Sequence, residues 1–194
     1  MLEIELKFEV KNKKKIEKQL ASLFNLNKKA FEVTEMYDNN KKDLFKVDAR
    51  LRVREIIDLK DKSTTCELTY KKPLTRKGIK VEEEIKVNVN SYPEIVALLG
   101  KIGFFKVSSY ERIRTTYLTK DVELVLDDFP FGTYLEIEGE TERIKAGAKQ
   151  LGLEMGDNIT QSCDDLYAEI QRALGRPIDD HIKFLPAQRK VFLK

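Results

Sequence analysis

The sequence predicts an α+β domain: roughly eight antiparallel strands with amphipathic helices packed on one face. Three observations carry that prediction. Residues 2–10 alternate strictly, with Leu2, Ile4, Leu6, Phe8 and Val10 on one side and Glu3, Glu5, Lys7 and Glu9 on the other. A period of two marks a strand with one apolar and one polar face. The same device recurs in later stretches, each with an ionised face. Between them lie segments whose apolar residues fall at helical spacing, and these need the apolar side of the sheet.

Taken in order, Asn12 can cap a helix that carries Ile16, Leu20, Leu23 and Phe24 on one face. A second strand follows over 31–38, then a polar turn at Asn39, Asn40, Lys41 and Lys42. The third strand, 50–56, alternates arginines with aliphatics. The fourth, 66–71, sets Glu67, Thr69 and Lys71 against Cys66, Leu68 and Tyr70. A turn from Pro73 to Gly78 leads to the fifth, 79–89, with Lys80, Glu82, Glu84 and Lys86 on one face. Ser91 and Glu94 then form a capping box with Pro93 in the first turn. That helix presents Ile95, Leu98, Leu99 and Ile102 and stops at Gly103. Residues 104–119 read as a long strand with Arg112 and Arg114, 122–127 as a seventh, and 134–138 as an eighth, reached through Phe129-Pro130-Phe131-Gly132. Two helices close the domain, one marked by Ile144, Ala148 and Leu151, the other by Leu166, Ile170 and Leu174 with Ser162 as cap. One domain spans 1–174, and 175–194 reads as a basic tail without regular period, draped on the surface or partly disordered.

Composition removes several classes of function. The 194 residues include 36 basic and 33 acidic ones, a net charge of +3, without the basic excess a nucleic-acid binder needs. No apolar run is long enough to cross a bilayer, and the chain enters a strand at once, so the expectation is a cytoplasmic protein with no leader. Two cysteines, Cys66 and Cys163, make no disulfide framework. With one histidine, His181, histidine-based zinc sites and triads are excluded.

The polar face collects Glu3, Glu5, Glu82, Glu84, Asp127, Glu136 and Glu138 beside Lys7, Arg52, Arg54, Lys71, Lys80, Arg112 and Arg114. One solvated face of an open sheet would account for it. If the sheet instead closes with its apolar face outward, the charges line a lumen that must be wet or hold a charged ligand. Such a lumen suits a polyphosphate: arginine and lysine clamp phosphate oxygens, and carboxylates without histidine or cysteine favour a hard cation such as Mg²⁺ or Mn²⁺. Spacing alone leaves the charge-rich β-domain and the phosphoryl-transfer lumen open.

Glu3-x-Glu5-x-Lys7 resembles the ExExK signature of the CYTH superfamily, the triphosphate tunnel metalloenzymes, which include class IV adenylyl cyclases, thiamine triphosphatases and inorganic triphosphatases. The likeness continues through Leu51-Arg52-Val53-Arg54, Leu68-Thr69-Tyr70-Lys71, Glu82-x-Glu84, Arg112-x-Arg114, Leu126-Asp127-Asp128 and Gly132-x-x-Leu135-Glu136-Ile137-Glu138. It implies an eight-stranded antiparallel tunnel, open at both ends. Glu3, Glu5, Asp127, Glu136 and Glu138 would be metal ligands for Mg²⁺ or Mn²⁺. Lys7, Arg52, Arg54, Lys71, Lys80, Arg112 and Arg114 would hold the triphosphate. Glu5, Lys7 and Glu138 would carry the chemistry, and Glu82 and Glu84 would line the tunnel as metal shell, water-positioning groups or partners of arginine. The implied activity is hydrolysis of an inorganic or organic triphosphate such as thiamine triphosphate or ATP. Cyclisation of ATP to cyclic AMP and pyrophosphate, or binding without turnover, stand as alternatives. The expected partner is a small-molecule triphosphate, with no nucleic acid or membrane, in a monomer or homodimer.

Overall fold

The computed structural model describes residues 2–75 and 78–193. Eight long strands are joined in the order β2-β3-β4-β5-β1-β8-β7-β6, and β6 pairs back onto β2 to close the sheet. They are β1 (Leu2–Glu9), β2 (Asn25–Asn39), β3 (Arg50–Asp58), β4 (Thr64–Thr75), β5 (Lys80–Val89), β6 (Phe104–Leu118), β7 (Val122–Phe129) and β8 (Gly132–Gly139). All neighbours run antiparallel. The sheet is therefore a closed barrel, with no row of unpaired backbone groups along its seam.

The helices α1 (Lys13–Leu23), α2 (Asp43–Lys46), α3 (Tyr92–Lys101), α4 (Thr141–Gln150), α5 (Cys163–Ala173) and α6 (Pro186–Phe192) pack outside the strands. The reason is the alternation itself. Leu6, Phe8, Leu124, Leu126, Leu135 and Ile137 point out of the barrel and meet Ile16 and Leu20 of α1 and Ile144 and Ala148 of α4 in one buried cluster. Each such side chain taken out of water stabilises the fold by roughly 1.5–3 kcal/mol. Asn12 caps α1 by accepting the Lys15 N–H, as its position predicts. Ser162 caps α5 in a full capping box with Asp165. In α3 only half of the expected box forms: Ser91 accepts the Glu94 N–H, and Gly103 follows the helix at φ +88°, a conformation open to glycine.

Several sequence expectations need correction. Helix α3 docks through Tyr92, Ile95, Val96 and Leu99, while Leu98 and Ile102 stay 55% and 59% exposed. A 92/95/96/99 face satisfies helical spacing as well as 95/98/99/102 does, and the aromatic ring of Tyr92 decides the rotation. Strand β2 begins six residues earlier than its apolar run, because backbone pairing with β6 continues past it. Pro73 lies inside β4 beside a register shift at Pro73/Thr75, where a missing N–H costs nothing, rather than in a turn. Arg76 and Lys77 of that expected turn lie outside the described residues.

The largest correction concerns the C-terminal segment. It docks: β9 (His181–Ile182) pairs parallel with Ser109 and Tyr110 of β6, on the edge that β7 leaves free. Phe184 is buried against Phe31, Ile113 and Phe192, its N–H donates to Glu111 Oε2 at 3.1 Å, and Arg189 pairs with the same carboxylate at 3.3 Å. Phe184→Ala is expected to lower the denaturation free energy by about 3 kcal/mol, as for other buried aromatics. A merely draped tail would change it by about 0.5 kcal/mol or less. No helix among the described residues is long and apolar enough to cross a membrane.

Candidate active site

Closure turns the ionised faces of all eight strands inward, and strand register decides which charges meet. In β1, Glu3 lies across from Glu82 of β5, Glu5 is flanked by Lys80 of β5 and Glu138 of β8, and Lys7 lies across from Glu136 of β8. Opposite residues on neighbouring antiparallel strands share a face, so β1 places its three ionised groups in the middle of a charged wall. Beyond Glu5 the free edge of β1 is taken by the segment before α5, with Lys7 N–H donating to Asn158 Oδ1 at 2.9 Å and Ile159 N–H to Lys7 O at 2.7 Å.

Cations and carboxylates in the lumen are paired throughout. Lys80 bridges Glu5 and Glu82 at 2.9 and 2.8 Å, and Arg50 also pairs with Glu82. Lys71 joins Glu3 to Glu84, and Arg52 reaches Glu84 at 3.7 Å. Lys7 sits 3.1 Å from Glu136 and 3.8 Å from Glu5. Asp127, fully buried, receives Arg114 at 2.6 and 2.8 Å and Arg112 at 2.8 Å. Arg112 continues to Glu32 at 2.7 Å, which also faces Arg54 at 3.4 Å, and Arg114 reaches Glu136 at 2.9 Å. Glu138 is the exception: among the described residues it has neither an ion pair nor a hydrogen bond from its side chain.

Its surroundings explain its chemistry. Glu3, Glu5 and Glu138 each present a carboxylate oxygen within 4.8 Å of the others. Burial, then repulsion from Glu3, pushes the Glu138 carboxyl up to about 8 despite the opposing Arg114. Three converging oxygen donors, one of them loath to ionise, fit a hard divalent cation, whose charge would relieve the repulsion. Asp127 and Glu136, also expected as metal ligands, are held instead by Arg112, Arg114 and Lys7 and stand outside that trio.

The cation side is equally marked. Burial alone would lower Lys7, but Glu136 and Glu5 outweigh it and raise its pKa. Arg54 goes the other way: burial and then repulsion from Arg112 and Arg52 draw it down to about 10. Four arginines that press on one another call for an anion between them. Glu32 supplies part of that charge. Burial would raise its carboxyl, yet Arg112 and Arg54 hold it far below the carboxylate range. A depressed folded-state pKa contributes stability that is present above about 4.5 and is lost as pH falls toward the folded value. The barrel is therefore expected to lose stability on acidification below about pH 4.5, with a shallower loss in Glu32→Gln, read by denaturation midpoints across pH 2.5–6.

Of the residues expected to share a site, Glu3, Glu5, Lys7, Arg52, Lys71, Lys80, Glu82, Arg112, Arg114, Glu136 and Glu138 line the central cavity, Arg54 lines a second opening, and Asp127 and Glu84 join them through ion pairs with Arg112, Arg114, Lys71 and Arg52. Sequence reasoning passed over others. Arg50, in the same alternation as Arg52 and Arg54, lines the central cavity, and its period-2 position was the available signal. Glu32 alternates with Thr34 on β2, and only the pairing of Glu32 with Arg112 reveals it. Tyr110, Phe129 and Ser162 also line the cavity. Arg114 lines both this cavity and a second opening bounded by Lys28, Glu67 and Glu123.

Residues 1–162 match the model of the CYTH domain. The chain belongs to the CYTH domain family. A curated protein of Methanocaldococcus jannaschii, named provisionally as an adenylate cyclase, is 31% identical over 153 residues, covering 78% of this chain and 84% of that protein. Among solved structures, the PH1819 protein of Pyrococcus horikoshii superposes with a TM-score of 0.73 at 25% identity, covering 87% of this chain and 99% of its own. A Hippeastrum protein, named provisionally as an adenylyl cyclase and with a dominant triphosphatase activity, gives 0.63 at 21% identity, covering 92% of this chain and 100% of its own, a likeness of fold. The CYTH match thus covers the whole barrel and stops at the cap of α5.

Proposed function

We propose that this CYTH protein hydrolyses a triphosphate held in the barrel lumen, with a divalent cation bound by Glu3, Glu5 and Glu138. The observation that carries the reading is the juxtaposition of that carboxylate trio with a buried belt of lysines and arginines. When bound, the cation supplies Lewis-acid polarisation of phosphate oxygens and charge neutralisation. The protein groups do the rest. Lys7, Arg112 and Arg114 hold phosphate oxygens, and Arg52, Arg54, Lys71 and Lys80 extend the cradle. Lys71 and Lys80 pair with Glu3 and Glu5 in the structure, and if these lysines turned to phosphate, Glu3 and Glu5 would be free to hold the cation. Water attacks the terminal phosphorus, the bridging P–O bond breaks with its electron pair going to the departing diphosphate, and the water proton passes to a carboxylate or to solvent. Charge building on the leaving oxygens is met by guanidinium groups that Asp127, Glu32 and Glu136 already hold in place.

The Methanocaldococcus relative's name supports a second reading, in which the ribose 3′-hydroxyl of ATP attacks the α-phosphorus. Both reactions need the same clamp. Incubating the protein with inorganic triphosphate, thiamine triphosphate or ATP, with Mg²⁺ or Mn²⁺, and following products by ³¹P NMR separates them. Orthophosphate release is expected. Pyrophosphate together with cyclic AMP would replace hydrolysis by cyclisation, and no metal-dependent turnover on any substrate would remove the enzymatic reading.

A further inference from the structure

Tyr110 lines the central cavity, yet the chemistry described so far makes no use of it. Strand register sets Arg54, Thr34 and Tyr110 in one row across β3, β2 and β6. Arg54 reaches along that row: its Nε donates to Thr34 Oγ1 at 3.0 Å and its Nη2 to Tyr110 Oη at 3.4 Å. The phenol ring is held from its other side. It packs with Met36 and Ile182 in a buried cluster bordered by Phe129, Phe131 and Tyr167, its centroid 5.8 Å from that of Phe129. The backbone is held too, since β9 pairs Ile182 with Tyr110. An apolar clamp on the ring thus turns a hydroxyl toward the arginines, and that hydroxyl donates no hydrogen bond among the described residues.

The groups that act on this hydroxyl are mostly cations. Burial would tighten its proton, but Arg54 and Arg52 of β3 and Arg112 of its own strand outweigh burial and draw the phenol below its ordinary range. The Cys163 thiol of α5 acts in the opposite sense, and Thr34 and Met36 of β2 and Ile182 of β9 bring no charge. The other phenol and thiol of the cavity differ. Tyr134 is pushed up to about 12 by burial and by Glu9, and Cys163 is pushed up by burial and by Asp164. The Ser162 hydroxyl already donates to Asp165 at 2.7 Å. Tyr110 is the one phenol or thiol lining the cavity whose proton the surroundings loosen.

We propose that Tyr110 is a catalytic residue, giving its hydroxyl proton to the oxygen of the departing diphosphate. The inference rests on the hydrolysis reading above. As the bridging P–O bond breaks, its electron pair stays on the diphosphate oxygen, which takes the proton from Tyr110 Oη. The phenolate left behind lies against Arg54, Arg52 and Arg112, and it recovers a proton from solvent once the products leave. Fixed cations in a site of low polarity favour that phenolate strongly.

Tyr110→Phe removes the hydroxyl and keeps the ring. It is expected to lower kcat on inorganic triphosphate by about 10²-fold, the lower end for a positioned proton donor, with KM within about threefold. The pH profile of kcat/KM, which reports the free enzyme, decides the matter because a packing role would not move it. A proton donor works only below its own pKa, so the unaltered protein should show an alkaline limb with a midpoint below about 10, and Tyr110→Phe should lack it. Replacing Tyr110 by 3-fluorotyrosine, a more acidic phenol of nearly the same size, is expected to retain turnover at neutral pH and to move the limb to lower pH. The fluorinated protein carries the test alone if Tyr110→Phe folds poorly. Full activity in Tyr110→Phe, or a limb that neither vanishes nor moves, overturns the proposal and leaves hydrolysis standing. If the unaltered protein turns over no triphosphate, the hydrolysis reading fails and the proton donor falls with it.

Discussion

Glu5→Gln is expected to reduce metal-dependent turnover by about 10³-fold or more, equivalent to roughly 4 kcal/mol of transition-state stabilisation. Glu5 sits at the centre of β1, flanked by Lys80 and Glu138, and supplies one of the three converging carboxylate oxygens. The amide keeps the shape but loses the charge that a hard cation needs. Phosphate affinity measured without metal should stay within severalfold, because the lysines and arginines remain and Lys80 is freed from a partner. Single-turnover kinetics with isothermal titration of inorganic triphosphate separates the two quantities. If turnover and affinity fall together, Glu5 shapes the cradle and the metal site lies elsewhere.

Arg112→Met is expected to destabilise the barrel by about 3–5 kcal/mol, the usual result of removing one partner of a buried ion pair. Arg112 is 4% exposed and bridges Asp127, fully buried, to Glu32. Methionine fills most of the space but leaves Glu32 with Arg54 alone and Asp127 with Arg114 alone. Chemical denaturation should show the loss, and lowering the pH should restore part of it, because protonating Glu32 removes the uncompensated charge. Arg112→Lys is expected to be intermediate, since one ammonium cannot bridge two carboxylates with the geometry of a guanidinium. A change under about 1 kcal/mol would mean that water reaches this belt freely.

Much of this molecule could be read from period-2 alternation. The ExExK strand, the paired arginines of β3 and β6 and the paired glutamates of β8 all lie on the inner face their spacing demands. Alternation tells which side chains share a face, but not which neighbour each one meets. The resemblance implies Asp127 as a metal ligand, and only the β6–β7 register shows that Arg114 lies directly across from it. Glu32 was invisible for the same reason. The C-terminal segment escaped because two residues of strand and two turns of helix carry no period, and its anchor, Phe184 against Phe31, joins residues far apart in sequence. Leu98 and Ile102 show the opposite failure, a clear local pattern overruled by a neighbouring tyrosine.

The place of β1 in the sheet has a consequence for how the protein is made. Its neighbours are β5 and β8, so β1 must wait for residues 132–139, made well after it, before it can be sandwiched. Pairings between such distant segments are slow, since a long loop must close before any contact is gained. Glu3 and Glu5 therefore remain apart from Glu138 until the last long strand arrives. A chain still short of β8 brings together two of the three carboxylates, so the proposed cation centre is assembled only as the barrel shuts.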